Sequence, residues 1–275
     1  MLEGGVADSS PAGRPRFKVD ADVPHSARVW NYWLGGKDNY PVDRAAGDDW
    51  VALNPGIVTM AQQSRQFLIR VVRFLAAEAG VRQFLDIGTG LPTMQNTHEV
   101  AQAVAPDARV VYVDNDPLVL AHARALLVNT TPEGVTTYLD ADLHDPESII
   151  DGARNVLNFT KPIAVMFMGV LGHVAEFGEL RSIVDRLTAA VPSGSYLALW
   201  DDTDAGEAKR RASESYAETG AVAYHLRTPE DLERIFDGWE LVEPGLVPVT
   251  RWRPNLAEVG TVQEIDAHGG VARKP

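Results

Sequence analysis

The stretch Phe84-Leu85-Asp86-Ile87-Gly88-Thr89-Gly90-Leu91-Pro92-Thr93 decides the fold, because an apolar run leads directly into a turn with two glycines. The apolar run predicts a short buried strand. Glycine reaches positive φ and has no Cβ, so Gly88 and Gly90 let a ligand lie against the backbone where the strand ends. In a sheet of parallel strands, this carboxyl edge is the usual position of a nucleotide.

The chain around this stretch alternates short β-branched runs with runs of helical periodicity. Five strands are predicted, at residues 83–87, 109–113, 136–139, 163–168 and 195–200. Helices are predicted at four places, at residues 67–79, from Pro117 with Asp116 as N-cap, at 180–191 and from Thr228 to about Gly238. This alternation predicts a doubly wound α/β fold with a mostly parallel sheet.

Composition divides the chain into three predicted parts. Residues 1–20 are rich in Gly, Ser and Pro and are predicted to form a disordered tail. Residues 21–60 follow neither the helical nor the strand period and contain three of the six tryptophans, so they are predicted to form an N-terminal cap or lid. Residues 61–275 are predicted to form the α/β domain that binds the ligand.

Composition also excludes several functions. The chain has 25 Lys and Arg against 38 Asp and Glu, a net charge of −13, and no cysteine. A nucleic-acid partner is not expected, because such proteins neutralise phosphates with basic residues. Disulfides, thiolate metal sites and cysteine nucleophiles are excluded, and the histidine spacing predicts no metal site. The longest apolar run, residues 163–174, is too short for a membrane span, which needs ~20 residues. A cytoplasmic protein without a membrane partner is predicted; its oligomeric state is left open.

Asp86 is one of the residues that distinguish this glycine turn from a dinucleotide-binding motif. A dinucleotide site has the pattern G-x-G-x-x-G and binds a pyrophosphate at the start of the following helix. Here Thr93 occupies the third glycine position and a carboxylate precedes the first glycine. That carboxylate would repel a pyrophosphate, whereas it would attract an ammonium group or a sulfonium centre.

Two further aspartates follow the next two predicted strands. Asp114 lies 28 residues after Asp86 and Asp142 lies 28 residues after Asp114, which in each case is the length of one strand and helix unit. The three carboxylates are therefore expected at the same edge of neighbouring strands. Asp114 is placed to accept hydrogen bonds from vicinal ribose hydroxyls, and Asp142 with Leu143 to bind the amino group and cover the ring of an adenine.

These motifs resemble those of the class I S-adenosylmethionine-dependent methyltransferases. The resemblance covers roughly residues 62–275 and rests on three motifs, LDIGTG at 85–90, VVYVDNDP at 110–117 and DADL at 140–143. A closer resemblance is to an S-adenosyl methyltransferase group with an N-terminal LGGKDNY segment. It rests on two further segments, SARVWNYWLGGKDNYPVDR at 26–44 and GGVARKP at 269–275.

The resemblance implies a Rossmann-like, seven-stranded sheet, S-adenosyl-L-methionine as the cofactor, and methyl transfer to a small or medium-sized acceptor. Its last two strands would be residues 241–250 and 271–274, with the final one antiparallel. The predicted cofactor-binding residues are Asp86, Gly88, Thr89, Gly90, Asp114, Asn115, Asp142, Leu143, Met168, Gly169, Lys37 and Arg65. Pro92 and Thr93 depart from the family, whose first turn usually ends in glycines, so the detailed contacts of this turn stay open.

Two segments are candidates for the remaining parts of the site. Gly35 and Gly36 would be the hinge of a lid that brings Lys37 or Arg65 to the carboxylate of the ligand, although a purely structural cap fits the same residues. The predicted catalytic residues are His173, as a base or a substrate contact, and Asp201 as the second candidate base. The sequence favours the alternative that His173 is an ordinary hydrogen-bonded histidine at the end of a strand.

Three other functions remain open at this point. A protein that binds or senses S-adenosylmethionine without catalysis would share the binding residues. A nicotinamide dehydrogenase would use a similar turn, and a partner-binding module would use the tryptophan-rich cap as its interface.

Overall fold

The structure is a computed structural model that describes residues 20–92, 95–126, 129–255 and 265–275, so all but the last residue of the predicted tail lie outside it. The helices of the described part are α1 (Ser26–Trp33), α2 (Pro41–Leu53), α3 (Ile57–Ala77), α4 (Thr97–Val104), α5 (Pro117–Leu126), α6 (Pro146–Ala153), α7 (Phe177–Ala189), α8 (Glu207–Glu218) and α9 (Pro229–Arg234). Its strands are β1 (Gln83–Ile87), β2 (Arg109–Asp114), β3 (Val135–Asp140), β4 (Ala164–Met168), β5 (Tyr196–Asp202), β6 (Glu240–Leu241), β7 (Val247–Pro248) and β8 (Ala267–Arg273).

One sheet joins all eight strands in the order β3-β2-β1-β4-β5-β8-β6, with β7 paired to β8. Strands β1 to β5 are parallel and β8 is antiparallel to β5. The doubly wound, mostly parallel α/β fold predicted from the sequence is therefore confirmed, including the antiparallel last strand.

The run predicted as one strand at residues 241–250 is two short strands, β6 and β7, so the sheet has eight strands in place of seven. Pro244 has no N–H for a sheet hydrogen bond, and Gly245 has φ +87°, a conformation outside the strand region. Gly245 N donates to the carbonyl of Val242, which closes a turn between the two strands. Both strands still pair with β8.

Both faces of the sheet are covered, and the alternation of side chains along β1 shows how. Phe84 packs in the cluster with α3, α4 and the N-terminal helices, whereas Leu85 and Ile87 pack in the cluster with α6 and α7. Successive side chains of a strand point to opposite faces, so Asp86 lies on the same face as Phe84. This alternation turns the carboxylate toward α3 and α4.

The N-terminal segment, in which the sequence shows neither a helical nor a strand period, contains α1, α2 and the start of α3. Pro41 begins α2, and Asp43 accepts a hydrogen bond from Tyr40 N at 2.8 Å. Arg28 of α1 lies 3.1 Å from buried Asp43, which joins the two helices. A Cβ on Gly47 would lie 2.9 Å from the ring of Tyr32, so the helical pattern of α2 is interrupted where α1 approaches it closely.

Helix α3 runs across the boundary predicted at residue 60, so the cap and the domain share one helix. In the described ranges, no helix is both long and apolar enough to span a bilayer.

Candidate active site

A cavity of about 310 Å³ lies where β1 to β4 end, beneath α1. Asp86, Asp114 and Asp142 all line it, so the structure brings the three predicted aspartates to one place. The other predicted cofactor-binding residues that line it are Gly88, Thr89, Gly90, Asn115, Leu143, Met168, Gly169 and Arg65. Lys37 is exposed and is not part of the lining.

Asp86 is the most deeply buried of the three aspartates. Its carboxylate accepts a hydrogen bond from Thr97 Oγ1 at 2.6 Å. Burial raises the pKa of Asp86 to about 6, although the hydrogen bond from Thr97 and the charge of Arg65 both lower it. Asp86 is thus a buried carboxylate that a nearby positive charge on a ligand would hold in its ionised form.

The two glycines of the turn differ in what surrounds them. Both adopt positive φ, +70° at Gly88 and +67° at Gly90. A Cβ on Gly88 would lie 2.2 Å from Val170 Cγ2, so this position is required by packing against the turn after β4. At Gly90 the nearest atom would be Ala27 Cβ at 3.9 Å, so only this glycine leaves free space beside the backbone.

Asp114 both shapes the turn and faces the cavity. Gly90 N donates to Asp114 Oδ2 at 2.8 Å, and Asp116 N donates to Oδ1 at 3.0 Å. Each carboxylate oxygen can accept two hydrogen bonds, so each keeps one for a ligand. Burial raises the pKa of Asp114, and the two backbone hydrogen bonds oppose this rise.

The far end of the cavity is polar and partly exposed. Asp142 accepts hydrogen bonds from Asn115 Nδ2 at 3.2 Å and from His144 N at 2.8 Å. Burial raises the pKa of Asp142, but the hydrogen bonds of His144 and Asn115 outweigh it and leave the pKa below its usual value. Tyr138 lines the same region; its buried hydroxyl has no hydrogen-bond partner within the described residues.

Helix α1 supplies a wall that sequence reasoning did not assign. Trp30 lines the cavity and packs edge to face on Trp200, with ring centroids 5.6 Å apart. His25, the residue before α1, also lines the cavity. The high tryptophan content of the segment was the available signal, but it did not identify which ring faces the ligand.

Arg65 lies in the cavity wall on α3 and donates to Asn96 Oδ1 at 3.1 Å. Burial lowers the pKa of Arg65, and the charge of Asp86 opposes this shift. Of the two predicted cations, the structure therefore places Arg65, and not Lys37, beside the aspartates.

His173 lines the cavity at the end of β4 and packs against the ring of Tyr224. Its Nδ1 lies 3.1 Å from the carbonyl of Ala223, and since a carbonyl only accepts, Nδ1 carries the hydrogen. Burial lowers the pKa of His173 to about 4, so the ring is neutral at pH 7. Its Nε2 then keeps a lone pair that can accept a proton or a hydrogen bond.

Asp201, the other predicted base, lies outside the cavity lining. It is buried in β5 and accepts a hydrogen bond from the hydroxyl of Tyr224, and burial raises its pKa to about 7. Alternation along β5 places Trp200 and Asp202 on the opposite face from Asp201. Across the residues that the structure describes, no group of His, Asp and Glu side chains is arranged to hold a metal ion.

Comparisons with known proteins agree with this geometry. A crystal structure of a DUF574 family protein from Streptomyces avermitilis superposes with a TM-score of 0.90 at 44% identity, covering 94% of this chain and 100% of that chain. A second, named "putative methyltransferase", from Thermobifida fusca, superposes with a TM-score of 0.86 at 41% identity, covering 94% and 98%. A search of curated proteins gives no match.

The model of the S-adenosyl methyltransferase family matches residues 12–275, which include the cap, the glycine turn and all three aspartates. The cofactor of such enzymes is S-adenosylmethionine, and their reaction is methyl transfer. The chain belongs to the S-adenosyl methyltransferase family.

Proposed function

We propose that the cavity of about 310 Å³ is the S-adenosylmethionine site and that the methyl acceptor is a small or medium-sized molecule that reaches His173. One observation carries this proposal: Asp86, Asp114 and Asp142 come from three successive strand ends and line one cavity. A cofactor with an ammonium group, a ribose and an adenine offers one partner to each carboxylate.

The residues present fit this cofactor. Asp114 has free acceptor positions for ribose hydroxyls, and the buried hydroxyl of Tyr138 has an unfilled hydrogen-bonding position beside the same cavity. Asp86 faces the cavity together with Arg65, so a ligand that carries both an ammonium and a carboxylate group finds an opposite charge for each. We therefore assign the carboxylate of the cofactor to Arg65, because Lys37 is exposed outside the cavity.

Bound S-adenosylmethionine supplies a methyl group on a positively charged sulfur, which is a good electrophile without further activation. The protein needs to align the acceptor and exclude water, and such positioning contributes on the order of 7–11 kcal/mol. Trp30 and Trp200 supply apolar walls on the side of His173. His173 Nε2 is the group that accepts a proton from an acceptor hydroxyl or amine. Asp201 lies outside the cavity lining and contacts this region through Tyr224, which packs against His173.

Several narrower assignments are part of this proposal. The LGGKDNY segment as a marker of the group remains a prediction from the sequence; within it, Gly36 packs against Asn31, where a Cβ would lie 2.3 Å from Nδ2. The net charge of −13 supports an acceptor other than a nucleic acid. A cytoplasmic location and the division into a cap and a cofactor domain remain predictions from the sequence.

Calorimetry with S-adenosylhomocysteine tests the cofactor site. Asp114→Ala removes hydrogen bonds to a charged group, which contribute about 1.5–3 kcal/mol, so we expect the dissociation constant to rise about 10- to 150-fold. Asp140→Ala is the matched control, because Asp140 is the cross-strand neighbour of Asp114 but is exposed and outside the cavity lining. Equal affinities for wild type and Asp114→Ala would refute the assignment.

A transfer assay separates catalysis from binding alone. The full chain is incubated with methyl-labelled S-adenosylmethionine and a cell extract, and label is expected to appear in a small-molecule fraction. Tight binding of S-adenosylhomocysteine without any transfer of label would instead support a sensor. Thermal stabilisation by a nicotinamide cofactor, without stabilisation by S-adenosylhomocysteine, would support a dehydrogenase.

A further inference from the structure

A second, smaller cavity of about 30 Å³ adjoins the cofactor cavity. Both cavities are lined by Ser26, Trp30 and His173, so they meet at the residue that we assign as the proton acceptor. The far wall of the smaller cavity contains Trp50 of α2 and Tyr216 of α8. We call this space the aromatic cavity. Its position beyond His173 makes it the natural place for part of a methyl acceptor.

Two side chains in the wall of the aromatic cavity carry a polar atom that lacks a partner among the described residues. The indole Nε1 of Trp50 and the hydroxyl of Tyr216 are both buried, and neither has a hydrogen-bond partner among the residues that the structure describes. Each of these two side chains is nine-tenths or more buried, at 6% exposure, and the rings pack edge to face at 5.8 Å. Buried polar groups in native proteins are normally paired. Two such atoms beside one cavity therefore indicate that a group of the ligand forms the missing hydrogen bonds.

The chemistry of these atoms limits what the ligand group is. An indole N–H only donates, so the group opposite Trp50 needs a lone pair, and a tyrosine hydroxyl can donate to the same atom. The described lining contains no Lys or Arg, and its one carboxylate, Asp202, is already paired with Lys209. An anionic group would lie close to Asp202 without a cation of its own, and a cationic group would face the hydrogen of Trp50. A neutral oxygen is the group that matches both donors.

The size of the aromatic cavity limits how much of the ligand enters it. A water-sized group needs about 10–15 Å³ of such space, so about 30 Å³ accepts two of them. The rest of the ligand must then lie along the shared wall, beside Trp30 and His173. Flat aromatic side chains on this wall favour a planar ring as the body of the ligand.

We propose that the aromatic cavity binds a neutral oxygen of the methyl acceptor through Trp50 N–H and Tyr216 O–H, and that the acceptor is an uncharged, planar aromatic molecule. This inference rests on the proposed function, because it assigns the acceptor part of the same site. In this site, Trp50 and Tyr216 determine which acceptors bind, and His173 faces the group that is methylated.

Binding of small probes to the full chain, saturated with S-adenosylhomocysteine, tests the inference. The probes are phenol, toluene, benzoate and benzylammonium, which share a benzene ring and differ in oxygen and charge. The readouts are the dissociation constant of each probe and the indole N–H signal of Trp50 in a nitrogen–proton NMR spectrum. We expect phenol to bind at least tenfold more tightly than each of the other three and to shift the Trp50 signal.

Three variants complete the test. Tyr216→Phe and Trp50→Phe each remove one donor, so each should weaken phenol binding about 2- to 10-fold while the affinity for S-adenosylhomocysteine stays unchanged. Trp252→Phe is the matched control, because Trp252 Nε1 is also buried without a partner in the described part but lines neither cavity. It should leave phenol binding unchanged.

Two results would overturn the inference alone. If neither Trp50→Phe nor Tyr216→Phe changes the dissociation constant of phenol, the aromatic cavity holds only water. Tighter binding of benzylammonium or benzoate than of phenol would mean a charged acceptor. Failure of S-adenosylhomocysteine to bind folded wild-type protein would instead overturn the proposed function, and the acceptor site with it.

Discussion

His25 Nδ1 lies 2.9 Å from Asp116 Oδ2, and this contact joins the residue before α1 to the residue before α5. Asp116 also caps α5, because its Oδ1 accepts from Leu118 N at 2.7 Å. Burial raises the pKa of Asp116, but the hydrogen bond and charge of His25 outweigh it and hold the pKa below its usual value. The contact fixes the cap helix over the cofactor cavity.

A double-mutant cycle measures this contact. We expect His25→Ala and Asp116→Asn to be coupled by about 1 kcal/mol in the free energy of unfolding from urea denaturation, since one partner is deeply buried. Asparagine keeps the capping ability of Asp116, so the cycle isolates the pair. The exposed pair Arg82 and Asp107, 3.4 Å apart, is the control and should show little coupling. Purely additive effects at His25 and Asp116 would show that the contact does not hold the cap.

Substitutions of two glycines with nearly equal φ separate backbone strain from steric conflict. Gly80→Ala, at φ +71°, meets nothing within 4 Å and should destabilise the protein by about 1–2 kcal/mol. In Gly88→Ala, at φ +70°, the new methyl group also meets Val170, and this conflict should lower the free energy of unfolding by about a further 1–3 kcal/mol. Combining Gly88→Ala with Val170→Ala should recover part of the second loss. Equal free energies of unfolding for the two single variants would contradict the packing role of Gly88.

Asp86 should make both stability and cofactor binding depend on pH. Its pKa is about 6 in the folded protein against an ordinary value of 3.8, so between these values the folded state holds a proton that the unfolded chain has lost. The contribution of Asp86 to the free energy of unfolding therefore falls as the pH rises from about 4 to 6. The affinity for S-adenosylhomocysteine should rise over the same range, because its ammonium group binds the ionised carboxylate.

Asp86→Asn is the comparison that isolates this group from the other buried carboxylates. Both pH-dependent contributions should be missing from the variant, so the difference between wild type and variant changes between pH 4 and 6 and is constant above it. Chemical denaturation and calorimetry over this range measure the two quantities. Parallel pH profiles for the two proteins would mean that Asp86 does not titrate there.

The protonation of His173 can be read directly by NMR. With its pKa lowered to about 4 by burial, His173 should stay neutral from pH 5 to 8, with the hydrogen on Nδ1 and an unprotonated Nε2. Nitrogen chemical shifts of the labelled ring distinguish the two nitrogens. Because the ordinary pKa of histidine is 6.5, the contribution of His173 to the free energy of unfolding should rise as the pH rises from about 4 to 6.5. A hydrogen on Nε2 would exclude His173 as the proton acceptor, and a ring protonated at pH 6 would contradict its lowered pKa.

The three aspartates were predictable because each follows a strand whose apolar pattern is clear, and parallel strands bring their ends to one edge. Asp201 shows where this reasoning ends. The pattern locates β5, but a five-residue apolar run does not tell which face each residue takes, and it is Asp202, not Asp201, that shares a face with Trp200 and lines the aromatic cavity.

The cap was less predictable for a different reason. Helix α1 has only eight residues and the apolar pattern of α2 is interrupted by Gly47, so contacts between the two helices, such as Arg28 with Asp43, hold them in place. Trp50 and Tyr216 are 166 positions apart in the chain, and neither residue is near a motif. Spacing along the chain carries no information about such contacts, so the aromatic cavity became visible only in three dimensions.

The place of β8 between β5 and β6 has a consequence for synthesis on the ribosome. All seven residues of β5 pair with β8, so β5 has no neighbour on that side until Arg273 has been translated. At about 5–20 residues per second, the 71 residues from Thr203 to Arg273 take roughly 4–14 s. During that time the nascent chain exposes an apolar strand edge, the kind that pairs with other chains. Slower translation of this region would lengthen the exposure, and chaperone binding at β5 would protect it.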